Sequence, residues 1–143
     1  MTQEDYVSYE VAQLLKEKGF DWECLAHWFV GTERNFSISK TPQNWNEVKT
    51  DLDWLSCPTH QMACNWLREK HQLHISVDVS PLYGKTKDEK GRNTCGLLYW
   101  HYMASGEWMN EKYNPFQKAF VVSAESNEQA IEKALRHSLE NLI

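Results

Sequence analysis

Apolar positions repeat with helical spacing near the start of the chain. Val7, Val11, Leu14 and Leu15 fall at i, i+4, i+7 and i+8, which predicts an amphipathic helix over 8–18. Ser8 stands at the N-cap, and Gly19 supplies the left-handed position beyond the last turn, onto which Phe20 can fold. The short apolar run "CLAHWFV" at 24–30, bounded by Gly31, predicts a strand, and alternating "NFSIS" at 35–39 its hairpin partner. Residues 40–55 carry Trp45, Val48, Leu52, Trp54 and Leu55 between polar residues, with Pro42 as a breaker. They predict a loop with a helical turn.

Pro58 suits the first turn of a second helix over 58–71, with Met62, Ala63, Trp66 and Leu67 on its apolar face. Leu73, Ile75, Val77 and Val79 then alternate with polar residues, the mark of a half-buried strand. A charged loop follows, and 94–103, "TCGLLYWHYM", carries apolar or aromatic residues on both faces, as a central strand or an interface would. "KAFVVSA" is a further strand. "SNEQAIEKALRHSLENLI" opens with Ser126 and Gln129 in a capping box and continues with a helical repeat through Leu139 and Leu142. The order is α-β-β-α-β-β-β-α. It predicts an α+β fold, a single mostly antiparallel sheet of about four or five strands packed with three helices.

At 143 residues the chain is expected to be a single globular domain, 1–143, large enough to bury its own core. The N-terminus is acidic and has neither a basic nor an apolar leader segment, so the cytoplasm is the expected location and the four cysteines are expected as reduced thiols. No window approaches the roughly 20 apolar residues of a membrane span. The net charge of −5 argues against nucleic acid as the main partner, because phosphate contacts need clustered Lys and Arg. The composition stands out in its seven tryptophans, more than a chain of this size readily hides completely.

Residues 57–79, "CPTHQMACNWLREKHQLHISVDV", together with the C-terminal "SNEQAIEKALRHSLENLI", resemble a family of small uncharacterised proteins of bacteriophages, prophages and mobile elements of gut bacteria. The resemblance lies in a Pro-Thr helix start, the Trp66-Leu67-Arg68-Glu69 segment, an alternating strand and a terminal Glu-Ala-rich helix ending in Leu-Ile. The opening "YVSYEVAQLLKEKGFD" is similar as well, while 21–55 and 84–117 are not covered. The resemblance implies phage or mobile-element origin and brings no catalytic residue with it.

The same segment gathers Cys57, His60, Cys64, His71 and His74. On a helix turning about 100° per residue, Cys57, His60, Cys64 and His71 lie within about 60° of one another. Yet Cys57 and His71 are 14 positions apart, about 21 Å of helix at ~1.5 Å per residue, and a zinc ligand sits only about 2.0–2.3 Å from its metal. The stripe is too long for one ion. What remains is a candidate of two or three ligands, His60 and Cys64 at i and i+4 with Cys57 joining if the chain bends at Pro58. A full site would need Cys24, His27, Cys95, His101 or His137 from elsewhere. No CxxC or HExxH occurs, so no metal or other cofactor is expected. Cys57, just ahead of a helix, is also the best candidate for a reactive thiol in a Cys-His enzyme. No nucleophile elbow, P-loop or dinucleotide fingerprint accompanies it, which leaves packing as the simpler role.

Tyr99, Trp100 and Tyr102 in the aromatic strand, with Trp108 and Tyr113 beyond it, are instead the residue types that protein interfaces favour. The expected function is a non-enzymatic protein-interaction role, self-association included, through this region. A small zinc-binding or nucleic-acid-associated regulator is the alternative, and a Cys-His enzyme the third reading.

Overall fold

The computed structural model describes residues 3–79, 97–104, 120–123, 127–141 and 143. By contacts the chain forms two compact units, 1–66 with 136–143, and 67–135.

In the first unit, α1 runs Tyr9–Glu17 and begins and ends as the sequence predicts. Ser8 Oγ accepts from the Val11 N–H at 3.2 Å. At the other end Gly19, at φ 87°, lets its own N–H donate to the Lys16 carbonyl and the Phe20 N–H to the Leu15 carbonyl, at 3.1 and 2.9 Å. That double bond satisfies two carbonyls the helix leaves open. Val7, Val11, Ala12, Leu15 and Phe20 are buried.

Three strands follow: β1 (Cys24–Val30), β2 (Arg34–Gln43) and β3 (Asp53–Ser56). They form an antiparallel sheet in the order β2-β1-β3. β2 is longer than the predicted hairpin arm and runs through Pro42. An edge strand tolerates proline, because the missing N–H removes no bond the sheet needs on its open side. β3 is a strand where a loop is expected. Its four residues take their conformation from β1, with Trp28 opposite Leu55 and Phe29 opposite Trp54. The helical turn expected in this region is a single 3-10 turn, Trp45–Glu47.

The two faces of this sheet differ. Toward α1, Trp28 makes edge contacts with Tyr9 and Phe36 at centroid distances of 5.8 and 5.4 Å. Arg34 lies 4.0 Å over the Tyr9 ring and 3.3 Å from Glu10. Lys16 bridges to Asp53 at 3.2 Å and to the Trp54 carbonyl at 3.1 Å. Exposed ion pairs of this kind contribute ~0–1 kcal/mol each, so the buried aliphatic and aromatic contacts hold α1 in place. On the opposite face, β1 carries Leu25, His27 and Phe29.

The second helix, α2, spans His60–His71 and starts two residues later than expected. Thr59 caps it, its Oγ1 accepting from the Met62 N–H at 3.2 Å, and Pro58 precedes the cap instead of opening the first turn. Within the first unit the Phe20 ring meets Trp66 at 5.4 Å.

In the second unit, Gln72 reverses the chain after α2 with φ 54°. β4 (Leu73–Val79), β5 (Leu97–Ala104) and β6 (Phe120–Ser123) form an antiparallel sheet in the order β4-β5-β6. The last helix, α3, spans Asn127–Asn141, belongs to the second unit through Leu135 and to the first from Arg136, and buries Ala130, Ala134, Leu135, Ser138 and Leu139. Ser126 of the expected capping box lies outside the described residues. The α+β class holds, but the expected single sheet of four or five strands is replaced, among the described residues, by two sheets of three strands. The physical reason is β3. It pairs with β1 and completes a sheet with the N-terminal hairpin, while β4 finds its partner in β5.

Candidate functional site

Of the aromatic residues singled out above, Tyr99, Trp100 and Tyr102 sit on β5, the middle strand of the second sheet. In register, Tyr99 pairs with Asp78 and Val121, Trp100 with Val77 and Phe120, and Tyr102 with Ile75. Trp108 and Tyr113 lie outside the described residues, as do Cys95 and most of the 95–116 region between the strands.

Cys57, His60 and Cys64 are not brought together as three ligands. Among the described residues no three His, Cys, Asp or Glu side chains gather to hold a metal ion. Cys57 is fully buried between β3 and α2. Its backbone N–H donates to the Ala26 carbonyl at 3.0 Å, and its thiol to the Val7 carbonyl at 3.2 Å. A thiol donating to a carbonyl carries its proton, which is the wrong state for a zinc ligand or a nucleophile. Cys24 behaves alike. Burial pushes its pKa up to about 12, and its sulfur lies 3.7 Å from Met62 Sδ. Cys24, Cys57 and Cys64 are thiols rather than disulfide partners.

The most developed cluster of unusual groups lies on the face of the first sheet away from α1. His27, at the centre of β1, is only 6% exposed. Its ring stacks on Trp45 at a centroid distance of 4.0 Å and 30° between planes, with Trp54 at 5.2 Å and Phe29 at 5.8 Å. Trp45 and Trp54 stack nearly parallel at 5.6 Å, and Phe29 meets Trp54 at 5.5 Å. Trp45 is fixed from both ends: its backbone N–H donates to Ser56 Oγ at 2.9 Å and its indole N–H to the Cys24 carbonyl at 2.7 Å. The Trp54 indole N–H donates to Thr50 Oγ1 at 2.6 Å.

His27 Nδ1 is buried and makes no hydrogen bond. Burial lowers the pKa of His27 from its ordinary value, and the Leu25 backbone works in the opposite direction with smaller effect. A charged imidazole stacked on an indole would gain about 0.5–2 kcal/mol of cation–π attraction. Desolvation of the charged ring outweighs this together with the Leu25 backbone, so the neutral ring is the form the site favours.

The first sheet also carries exposed apolar side chains. Leu25 is 43% and Leu52 36% exposed, while Phe29 and Trp54 are half-buried. The sequence treats His27 only as a possible metal ligand and leaves Trp45 and Trp54 in an unassigned segment. The available signal was the alternation of Leu25, His27 and Phe29, which puts all three on one side of a strand.

No family model, no curated protein and no solved structure matches this chain.

Proposed function

We propose that the chain is a non-enzymatic accessory protein of phage or mobile-element origin that acts in the cytoplasm by binding protein, its own copies first. The observation that carries this reading is the apolar surface on the first sheet. Leu25 on β1 and Leu52 just ahead of β3 stand more than a third exposed, and the sheet also carries the half-buried rings of Phe29 and Trp54. Exposed large apolar and aromatic side chains are what interfaces cover. Aromatic residues are 13% of the sequence, and Tyr99, Trp100, Tyr102, Trp108 and Tyr113 are of the types that interfaces favour. The family resemblance of the 57–79 segment and the C-terminal helix supports the origin. The alternative of a zinc-binding or nucleic-acid-associated regulator rests on residue type alone, and a net charge of −5 weighs against the second half of it.

Amide hydrogen exchange at two protein concentrations tests the reading. Self-association predicts slower exchange at the higher concentration in the peptides that carry Leu25, Phe29, Leu52 and Trp54. Exchange that is independent of concentration in all of them would count against it.

A further inference from the structure

We propose that His27 is a proton-operated latch, its neutral ring holding the 45–47 turn on the first sheet and its protonated ring letting that turn go. This concerns the fold of the chain alone and does not rest on the binding reading.

The turn is too short to hold its own shape. It stays on the sheet through Trp45 and Asn46. Trp45 donates to Ser56 Oγ and to the Cys24 carbonyl at 2.9 and 2.7 Å. Asn46 accepts from the Ser56 N–H and donates to the Phe20 carbonyl, both at 2.9 Å. The remaining attachments are the Trp45 ring against His27 at 4.0 Å and against Trp54 at 5.6 Å. A proton added to His27 must be accommodated beside the first of these contacts, where Nδ1 is buried and the Leu25 backbone compensates it only in part. Ser56, opposite His27 in register, uses its hydroxyl to accept from the Trp45 N–H.

Charged groups on the surrounding elements offer little relief. On β2, Arg34 is register partner to Val30 and lies over Tyr9 on the α1 side. Lys40, also a cation, is exposed. On β3, Asp53 faces α1 and pairs with Lys16. Asn35 and Ser37, the β2 residues opposite Phe29 and His27, are uncharged. Glu47, in the turn itself, is exposed to solvent.

The direction of the pH effect follows by linkage. The folded chain binds the His27 proton less readily than the unfolded chain, whose imidazole titrates near pH ~6.5. Stability from the neutral ring is therefore complete above that pH. It declines as the pH falls below that value and is lost once the folded pKa is passed.

Solvent exchange of the Trp45 indole N–H, followed by NMR on the full chain from about pH 8 to about pH 5.5, tests the latch across the imidazole range. The half-buried Trp54 indole, whose N–H is held by Thr50 Oγ1 instead of the sheet, serves as the internal reference. The latch predicts that Trp45 protection relative to Trp54 drops several-fold on acidification. It also predicts that His27→Gln and His27→Phe hold that ratio constant. A constant ratio in the wild-type chain, or an equal drop in the His27 variants, would overturn the proposal. Should the variants fail to fold, the His27 ring protons of the wild-type chain decide. A midpoint below that in the urea-unfolded chain supports the latch, and one at or above it refutes it.

Discussion

Cys24 opens β1, buried, with its thiol pKa pushed up to about 12, and Cys57 is buried with its thiol on the Val7 carbonyl. Only a thiolate attacks an alkylating reagent. In the folded chain at about pH 7.5, iodoacetamide should therefore label Cys64, which is half-buried, before Cys24 or Cys57, and mass spectrometry of the digested product reads the order. Rapid labelling of Cys57 would restore the reactive-thiol reading. Ser56 illustrates a different residue-scale effect. Its buried hydroxyl accepts from the Trp45 N–H, so Ser56→Ala leaves a buried donor unmet and should cost about 1–3 kcal/mol, read as a lower urea midpoint at unchanged slope. Neither role was legible beforehand. Residue type marks Cys57, His60 and Cys64 as possible ligands, but only the fold decides that a thiol meets a carbonyl.

At the scale of elements, legibility followed the range of the interactions. α1 could be read to its ends because Ser8 and Gly19 act within one turn of themselves. Gly19→Ala should cost on the order of 1 kcal/mol. The left-handed φ of 87° penalises a Cβ, although nothing lies within 4 Å of where it would go. Gln72 holds the same kind of position after α2, at φ 54°, with only a 3.4 Å bond from its side chain to the Glu69 carbonyl in return. Gln72→Gly should therefore raise stability by up to about 1 kcal/mol, measurable as a higher thermal midpoint. No change or a loss would mean that the Gln72 side chain matters more than its backbone. β3 was illegible for the converse reason. Asp53–Ser56 is four residues long, with no period to detect, and it is a strand because β1 pairs with it from some 25 positions away. Pro42 misled in the same region, since an open sheet edge tolerates what a central strand would not.

At the scale of the molecule, the α+β class was readable from the order of patterns, but the partition of strands into two sheets was not. Alternation tells that a strand has two faces and is silent about which strand lies beside it. Among the described residues no helix is long and apolar enough to cross a membrane. The sequence points to an aromatic surface around Tyr99 and Trp100. In the first unit the described exposed large apolar side chains are Leu25, Ile38 and Leu52. The most direct test of self-association is the mass of the full chain in solution over a wide range of concentrations. Sedimentation should give a mass that rises above the 16.8 kDa monomer as concentration increases. The doubly substituted Leu25→Asp, Leu52→Asp chain should stay nearer the monomer mass over the same range. A wild-type chain that remains at 16.8 kDa at every concentration would contradict the account.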